Sequence, residues 1–489
     1  MCAVACGSQQ PDGVSDPSTY SANQPHVCEQ FKKCDCEFFL SAFLVWRLDT
    51  VVVATHTHLM IDLLPEPRVQ ASLFSGVCNL LNSIIGAGIL SLPFVFKECG
   101  LVVGVLSQIL FAIMTLHGFR LLLSSLSLTK LSVPSYEGLA ERAFGSGGYY
   151  AYNTAAFLNC YGACVGYIVV IGDIVPGLLS EIGWPYSDRS LVLAVSTTFV
   201  ILPLASLRDF SALQYASGSA IVIYLVFAAT LLALYIASSP VALDPQPAYF
   251  KPSAEAFFRS APICAFAFQA VTSLFPILQE LHNPTVDRML TLSATSLAIA
   301  CAVYAVTGWA AYGLFGERLL GDGKRARSRD VVASLSTIAS HDHHPNSVMR
   351  PLCLAVLLNL AAIDGQGLKY LRLLFGVSIC LTYPTMHFAA RRSLDQMLFH
   401  SSVASAPYPR LLAETVCIVG STLLLGLYAE RVETVLAWTG AMGSTTVLYV
   451  LPPCIVLRLS PRSWSQDMGA LLFLALGLSF GVLGCINLL

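Results

Sequence analysis

Charge is scarce in this chain. Asp, Glu, Lys and Arg make up 11% of its 489 residues, against about 25% in an ordinary soluble domain. A cytosolic globular protein is excluded on that ground. The net charge of −2 supplies no whole-chain basic field, so no nucleic-acid partner is expected. Cysteine is present, sixteen in all, but without the spacing of a zinc ligand set or a disulfide framework. Cys78, Cys160, Cys264, Cys301 and Cys417 lie in apolar segments, where a thiol behaves as a small apolar side chain. A usable glycosylation sequon is also missing, since Asn283 is followed by Pro284. The apolar segments hold no convergent nucleophile, base or metal set, which argues against a membrane-embedded enzyme. No cofactor is expected beyond a coupling ion.

What the chain has is apolar length: 55% hydrophobic residues and a mean hydropathy of +0.68. A membrane-crossing helix needs about 20 predominantly apolar residues. Eleven such spans are expected, near 71–96, 101–126, 148–179, 190–206, 211–237, 256–281, 289–316, 366–390, 410–428, 432–457 and 467–489. This count excludes a seven-helix receptor. The run 351–363 is shorter and reads as re-entrant or interfacial. Residues 1–70 read as a cytosolic, largely disordered tail. Its Cys2, Cys6, Cys28, Cys34 and Cys36 suit a free tail better than an acyl anchor. Phe38 to Trp46 lacks the basic start and the cleavage site of a signal peptide.

Orientation follows from Lys and Arg in short loops. With the N-terminus inside, inner connections carry Lys130, Arg142, Arg208, Arg288, Arg391, Arg392, Arg410, Arg458 and Arg462. Outer ones carry only Lys97, Arg189, Lys251 and Arg431. The long polar loop 317–350, with Arg318, Lys324, Arg325, Arg327 and Arg329, runs against that pattern. A cytosolic N-terminus and an outer C-terminus are expected.

Two spans read as interrupted. In NSIIGAGILSLPF, Asn82 to Phe94, the glycines Gly86 and Gly88 bracket Ala87, and Pro93 follows. Each glycine disfavours a helix interior by about 1 kcal/mol relative to alanine. At membrane depth, broken backbone is tolerated only where it is buried in protein or lines a cavity. The sixth span, APICAFAFQAVTSLFPILQELHNP, has its break between Phe268 and Ser273, with a new half-helix over Ser273–Glu280 carrying Pro276. The first and sixth spans are five apart. Paired breaks at that offset point to a transporter built from inverted repeats, spans one to five and six to ten, with the eleventh added.

Broken helices expose N–H groups at one end and carbonyls at the other, with opposite partial charges. An amino-acid zwitterion matches both. Gly86, Ala87, Gly88, Phe268 and Gln269 are therefore the candidate substrate-binding residues. Asn79, Asn82 and Gly86 share one helix face. In the eighth span Ser378 and Thr382 are one turn apart, and Pro384 frees the carbonyl of Cys380. Such oxygens suit an alkali cation, so Asn82, Thr382 and Ser378 are the candidate cation ligands. Against this, a membrane Ser or Thr more often bonds its own backbone. Asp173 is an intramembrane acid and a candidate polar or proton site, though the Pro176 and Gly177 that follow favour an interfacial residue. Phe266, Phe268, Tyr161 and Tyr304 are pocket candidates, but only Phe268 stands at a break; the others read as packing. Arg208–Asp209 reads as a solvated turn, and His341, Asp342, His343 and His344 as an exposed loop.

These residues carry a likeness. Over roughly 70–489 the chain resembles the amino acid/auxin permease superfamily, most closely its sodium-coupled neutral amino acid transporter branch and the plant vacuolar amino acid transporters. The matching stretches are FSGVCNLLNSIIGAGILSLPFVFKECG (Phe74–Gly100), SYEGLAERAFG (Ser135–Gly145), GYIVVIGDIVPGL, PLASLRDFSAL, GWAAYGLFGE and LTYPTMHFAARRSL. The resemblance implies an all-α integral membrane protein with a LeuT-like 5+5 inverted repeat plus one C-terminal helix. It implies alternating access, with an amino acid, a coupling cation and the lipid bilayer as partners. Asn82 and Thr382 fall on the family's sodium-site positions, and Gly86, Ala87 and Gly88 on its carboxylate-binding turn. Gln269 departs from relatives that carry histidine there, so substrate preference stays open. The expected function is sodium-coupled transport of small neutral amino acids, in the plasma membrane or a vacuolar or lysosomal membrane. A proton-coupled vacuolar exporter and a membrane amino-acid sensor remain alternatives.

Overall fold

The computed structural model describes residues 72–86, 88–129, 134–181, 188–207, 214–237, 247–251, 253–316, 366–400, 407–429, 431–460 and 464–488. The tail 1–70, the loop 317–350, the run 351–363, Arg208–Asp209 and Ala87 lie outside the described residues. Every regular element among the described residues is helical. In chain order these are α1 (Leu73–Ile84), α2 (Gly88–Cys99), α3 (Leu101–Thr129), α4 (Tyr136–Phe144), α5 (Ser146–Glu181), α6 (Arg189–Ala205) and α7 (Gln214–Ala237). There follow α8 (Ala254–Ala267), α9 (Val271–Glu280), α10 (Val286–Phe315), α11 (Gln366–Phe399), α12 (Tyr408–Tyr428), α13 (Val432–Leu459) and α14 (Trp464–Leu488).

Among the described residues nine helices are long and apolar enough to cross a membrane, ten if α1 and α2 form one bent span. The expected eleven are therefore not all of spanning length. The fourth, α6, is the short one, and it tightens its reach further with a π-turn at Thr197–Ile201. Helix starts are set by side-chain caps that satisfy otherwise unpaired N–H groups. Ser135 accepts from Gly138 N at 3.1 Å, Ser253 from Ala256 N at 3.3 Å, and Thr285 from Arg288 N at 3.2 Å. The short helix α4 is anchored by Tyr136, whose buried hydroxyl donates to Val447 O at 2.7 Å. Burial pushes that phenol well above its usual pKa, so it stays a donor.

The helices pack in two groups. Spans one, two, six and seven (α1/α2, α3, α8/α9 and α10) pack on one another, and so do spans three, four, eight and nine (α5, α6, α11 and α12). Each group maps onto itself when shifted by five spans, as a five-span repeat requires. The fifth span, α7, touches both groups, packing against α1 and α10 on one side and α11 on the other. The second group is tied by arginines at helix ends. Arg189 donates to Gly426 O, Leu427 O and Ala429 O, at 3.2 to 3.3 Å, at the end of α12. Arg391 donates to Ala205 O at 3.2 Å at the end of α6 and to Thr415 Oγ1 at 3.0 Å on α12. Arg391 was expected in a loop after 390. The helix instead runs to Phe399, and the guanidinium is fully buried, its donors drawn inward by the unpaired carbonyls of a neighbouring helix end.

Candidate substrate and ion site

Both expected breaks exist, and they meet. The first half of the broken first span, α1, ends at Ile84, and its axis turns by 60° into α2. The sixth span stops at Ala267 and resumes at Val271. Its second half thus starts two residues before the expected Ser273. Pro276 forfeits only the bond to Thr272 O, and burial of Val271, Leu274 and Phe275 carries the helix across it. Gly88 brings the two breaks into contact: a β-carbon there would lie 3.0 Å from Ala267 Cα. A β-carbon on Gly86 would lie 2.7 Å from the Tyr167 hydroxyl of α5. Close approach of backbone therefore favours glycine at position 88, whereas at Gly86 the neighbour is a side-chain tip.

A phenol from α10 joins the breaks. Tyr304 Oη lies 2.7 Å from Ile84 O and 2.9 Å from Ala267 O, donating toward both. These carbonyls belong to the last residues of α1 and α8, which have no partner further along their own helices. Phe268 packs edge-on against the Tyr304 ring, with centroids 5.2 Å apart. A second bridge lies one turn away, where Ser83 Oγ and Ser273 Oγ are 2.7 Å apart. On the other side of the second break, α9 begins at Val271 with no side-chain cap. Ser273 N is taken by Ala270 O at 3.1 Å, which leaves the N–H groups of Val271 and Thr272 and the positive end to face an anionic group. Gln269 is buried, and its Oε1 has no hydrogen-bond partner. In hydrocarbon surroundings such an oxygen is costly unless something polar meets it.

Of the candidate ion ligands, Asn82 Oδ1 and Ser378 Oγ are both buried and without a hydrogen-bond partner. Asn79, on the same turn as Asn82, is exposed. Thr382 Oγ1 donates to Ser378 O at 2.7 Å, the local bond common for Thr in membrane helices. That bond uses its proton and leaves its lone pairs free to accept or ligate. Tyr224 of α7, fully buried, lies beside Ser378 and Thr382. No hydrogen bond joins Asn82 to the two α11 residues; α7 packs against both α1 and α11. Asp173 stands apart from the breaks, 3.4 Å from Arg189 Nε within the second helix group.

The sequence points to the glycines, Phe268 and Gln269, but Tyr304 reads there as packing and Tyr167 is passed over. A signal existed. A tyrosine in the apolar run IACAVYAVTGW of the seventh span must find a partner for its hydroxyl, and in a bilayer spare acceptors are found mainly at broken helices.

Comparison with known proteins agrees with this architecture. The family described as "Transmembrane amino acid transporter protein" matches residues 69–322 and 356–489. Solute carrier family 38 member 10 of Mus musculus is 26% identical over 420 residues, 82% of this chain but 34% of that protein. This chain thus spans about a third of the length of that relative. The putative sodium-coupled neutral amino acid transporter 11 of Mus musculus is 24% identical over 428 residues, 85% of this chain and 84% of its own. Vacuolar amino acid transporter 2 of Saccharomyces cerevisiae is 23% identical over 437 residues, 85% of this chain and 83% of its own. Among solved structures, a manganese transporter of Eremococcus coleocola superposes with a TM-score of 0.51 at 13% identity, covering 87% of this chain and 90% of that one. That likeness is one of fold alone.

Proposed function

The chain belongs to the transmembrane amino acid transporter protein family, and on that premise we propose that it is a secondary active transporter of small neutral amino acids. The observation that carries the reading is the meeting of two broken spans at one buried point, where Tyr304 gathers the carbonyl ends and the start of α9 is left uncapped. The substrate carboxylate would face the N–H groups of the breaks, near Gly86, Ala87, Gly88 and the start of α9. Gln269 Oε1, unpartnered and buried, is an acceptor for the ammonium group. Phe268 closes the pocket against Tyr304.

Sodium is the proposed coupling ion. The support is a pair of orphaned oxygens, Asn82 Oδ1 and Ser378 Oγ, together with the lone pairs of Thr382 Oγ1. An ion there would tie the first span to the eighth, and so the first helix group to the second. Alternating access would follow from rocking of one group against the other. The likeness to a vacuolar amino acid transporter over most of both chains supports a second reading, a proton-coupled exporter of an internal membrane.

Uptake of radiolabelled amino acids into proteoliposomes, with sodium and proton gradients imposed separately, separates these readings. Flux driven by sodium supports the first and flux driven by protons the second. No flux for any amino acid under either gradient overturns both.

A further inference from the structure

Resting on the reading of the breaks as a substrate site, we propose that Tyr304 is a specificity-determining residue whose hydroxyl takes the place of a cation between the broken first and sixth helices. The ends of α1 and α8 each present a terminal carbonyl, Ile84 O and Ala267 O, to a single point. A helix C-terminus carries about half a negative charge. Two such ends converging in a low-dielectric interior repel each other and attract a positive centre. Broken-helix carbonyls are the groups that coordinate small cations in transporters built this way.

Here the positive centre is a phenolic proton. Tyr304 is fully buried, and its oxygen sits 2.7 and 2.9 Å from the two carbonyls. A single proton shared between two acceptors satisfies each only in part. Each carbonyl also keeps a second lone pair, which remains open to the ammonium group of a substrate. The third element of the junction, α2, also borders the hydroxyl, since a β-carbon on Gly88 would lie 3.7 Å from it. A covalently held donor cannot leave with the substrate. Transport therefore needs no metal cation at this point, and any coupling ion binds elsewhere, as at Asn82 and Ser378. The phenol also excludes a cation here by occupying its place.

Tyr304→Phe tests this, because it keeps the ring and removes only the hydroxyl. The two carbonyls are then left to water or a cation. At the lowest sodium concentration that still supports wild-type uptake, the variant is expected to show an apparent KM about tenfold above that of wild type under the same conditions. Added sodium or lithium should bring it back to about twice the wild-type value, with little change in the maximal rate. A KM shift that is the same at every cation concentration, or no shift at all, overturns the proposal, since a merely structural hydroxyl behaves that way. The same variant, purified as the full chain in detergent, should gain a steeper rise of melting temperature with NaCl than wild type, with choline chloride as the ionic-strength control. Equal slopes overturn the proposal. This readout needs no transport, so absence of flux in wild type would sink the functional reading while leaving Tyr304 testable. Tyr304→Asn, which supplies an amide oxygen to a cation, serves if the Phe variant does not fold. Failure of both variants to fold at any sodium concentration also counts against the proposal, which requires sodium to replace the hydroxyl.

Discussion

The hydroxyls of Ser83 and Ser273 lie 2.7 Å apart, one in the last turn of α1 and the other in the first turn of α9. Ser83 Oγ also directs its proton at Asn79 O, 3.1 Å away, which leaves Ser273 as the donor in the pair. The bond joins the half-helices on one side of the two breaks, as Tyr304 joins the carbonyl ends beside it. We expect each of Ser83→Ala and Ser273→Ala to lower stability by about 0.5–1.5 kcal/mol. The double variant should cost little more than either single, because each removes the same bond. Thermal unfolding of the three variants in detergent measures this, and fully additive losses would show that the two serines act independently.

A close approach of two backbones makes a sharper prediction at Gly88. An added β-carbon there meets Ala267 Cα at 3.0 Å and Ala267 Cβ at 3.2 Å, and a backbone atom cannot swing aside as a side-chain tip can. Gly88→Ala should force the breaks apart and lower amino-acid uptake by at least about tenfold, while the protein still inserts and purifies, given that misplacements of about 1 Å cost on that scale in oriented sites. Gly420→Ala is the matched control, since nothing lies within 4 Å of a β-carbon there. Equal uptake by the two variants would remove the contact from the mechanism.

The proposed ion site makes a third. Asn82→Ala deletes a buried oxygen that has no hydrogen-bond partner, and Ser378→Ala one whose neighbour is the Tyr224 hydroxyl. The Asn82 change breaks no existing hydrogen bond of that oxygen, and after the Ser378 change Tyr224 keeps Thr382 as a neighbour, so folding should hold. The sodium concentration for half-maximal uptake should rise about tenfold in each, the equivalent of about 1.4 kcal/mol. Sodium titration of uptake reads this directly. An unchanged half-maximal concentration in Asn82→Ala would take that residue out of the ion site.

Much of this site is legible in the chain because its causes are local. Gly86, Gly88 and Pro93 disrupt a helix wherever they stand, so the first break is marked by composition alone. The second is marked less sharply: Pro276 suggests a restart at Ser273, but the helix resumes at Val271 because apolar burial outweighs one lost bond. What stays hidden is pairing between distant elements. Tyr304 lies 220 residues from Ile84 and 37 from Ala267, and no periodicity within its own span distinguishes it from a packing aromatic. The fourth span hides only its internal geometry. Its bounds are legible, since 190–206 is expected and the helix runs Arg189–Ala205, short of the length of a full span; what the sequence does not mark is the π-turn at Thr197–Ile201.

Arg391 illustrates the same limit and supports the last prediction. Read along the chain it is one of two adjacent arginines, Arg391 and Arg392, and suits a cytosolic loop. In the structure they diverge. Arg392 reaches out to Glu137 Oε1 at 2.7 Å and is partly exposed, whereas Arg391 is fully buried, with Nη1 on Ala205 O and Thr415 Oγ1, Nη2 on Leu207 O at 3.5 Å and its guanidinium over the Phe388 ring. Three helices, α6, α11 and α12, meet on that one guanidinium. Hydrogen bonds from a charged donor contribute about 1.5–3 kcal/mol each, and a lysine's single nitrogen cannot reproduce a planar fork whose two nitrogens reach Ala205 O, Thr415 Oγ1 and Leu207 O at once. Arg391→Lys should therefore destabilise the protein nearly as much as Arg391→Met, by roughly 2–4 kcal/mol. Arg392→Lys, at an exposed ion pair, should cost no more than about 1 kcal/mol. Parallel thermal melts of the three purified variants decide it. If Arg391→Lys melts with wild type, charge alone suffices at this position and the fork is not what holds the second helix group together.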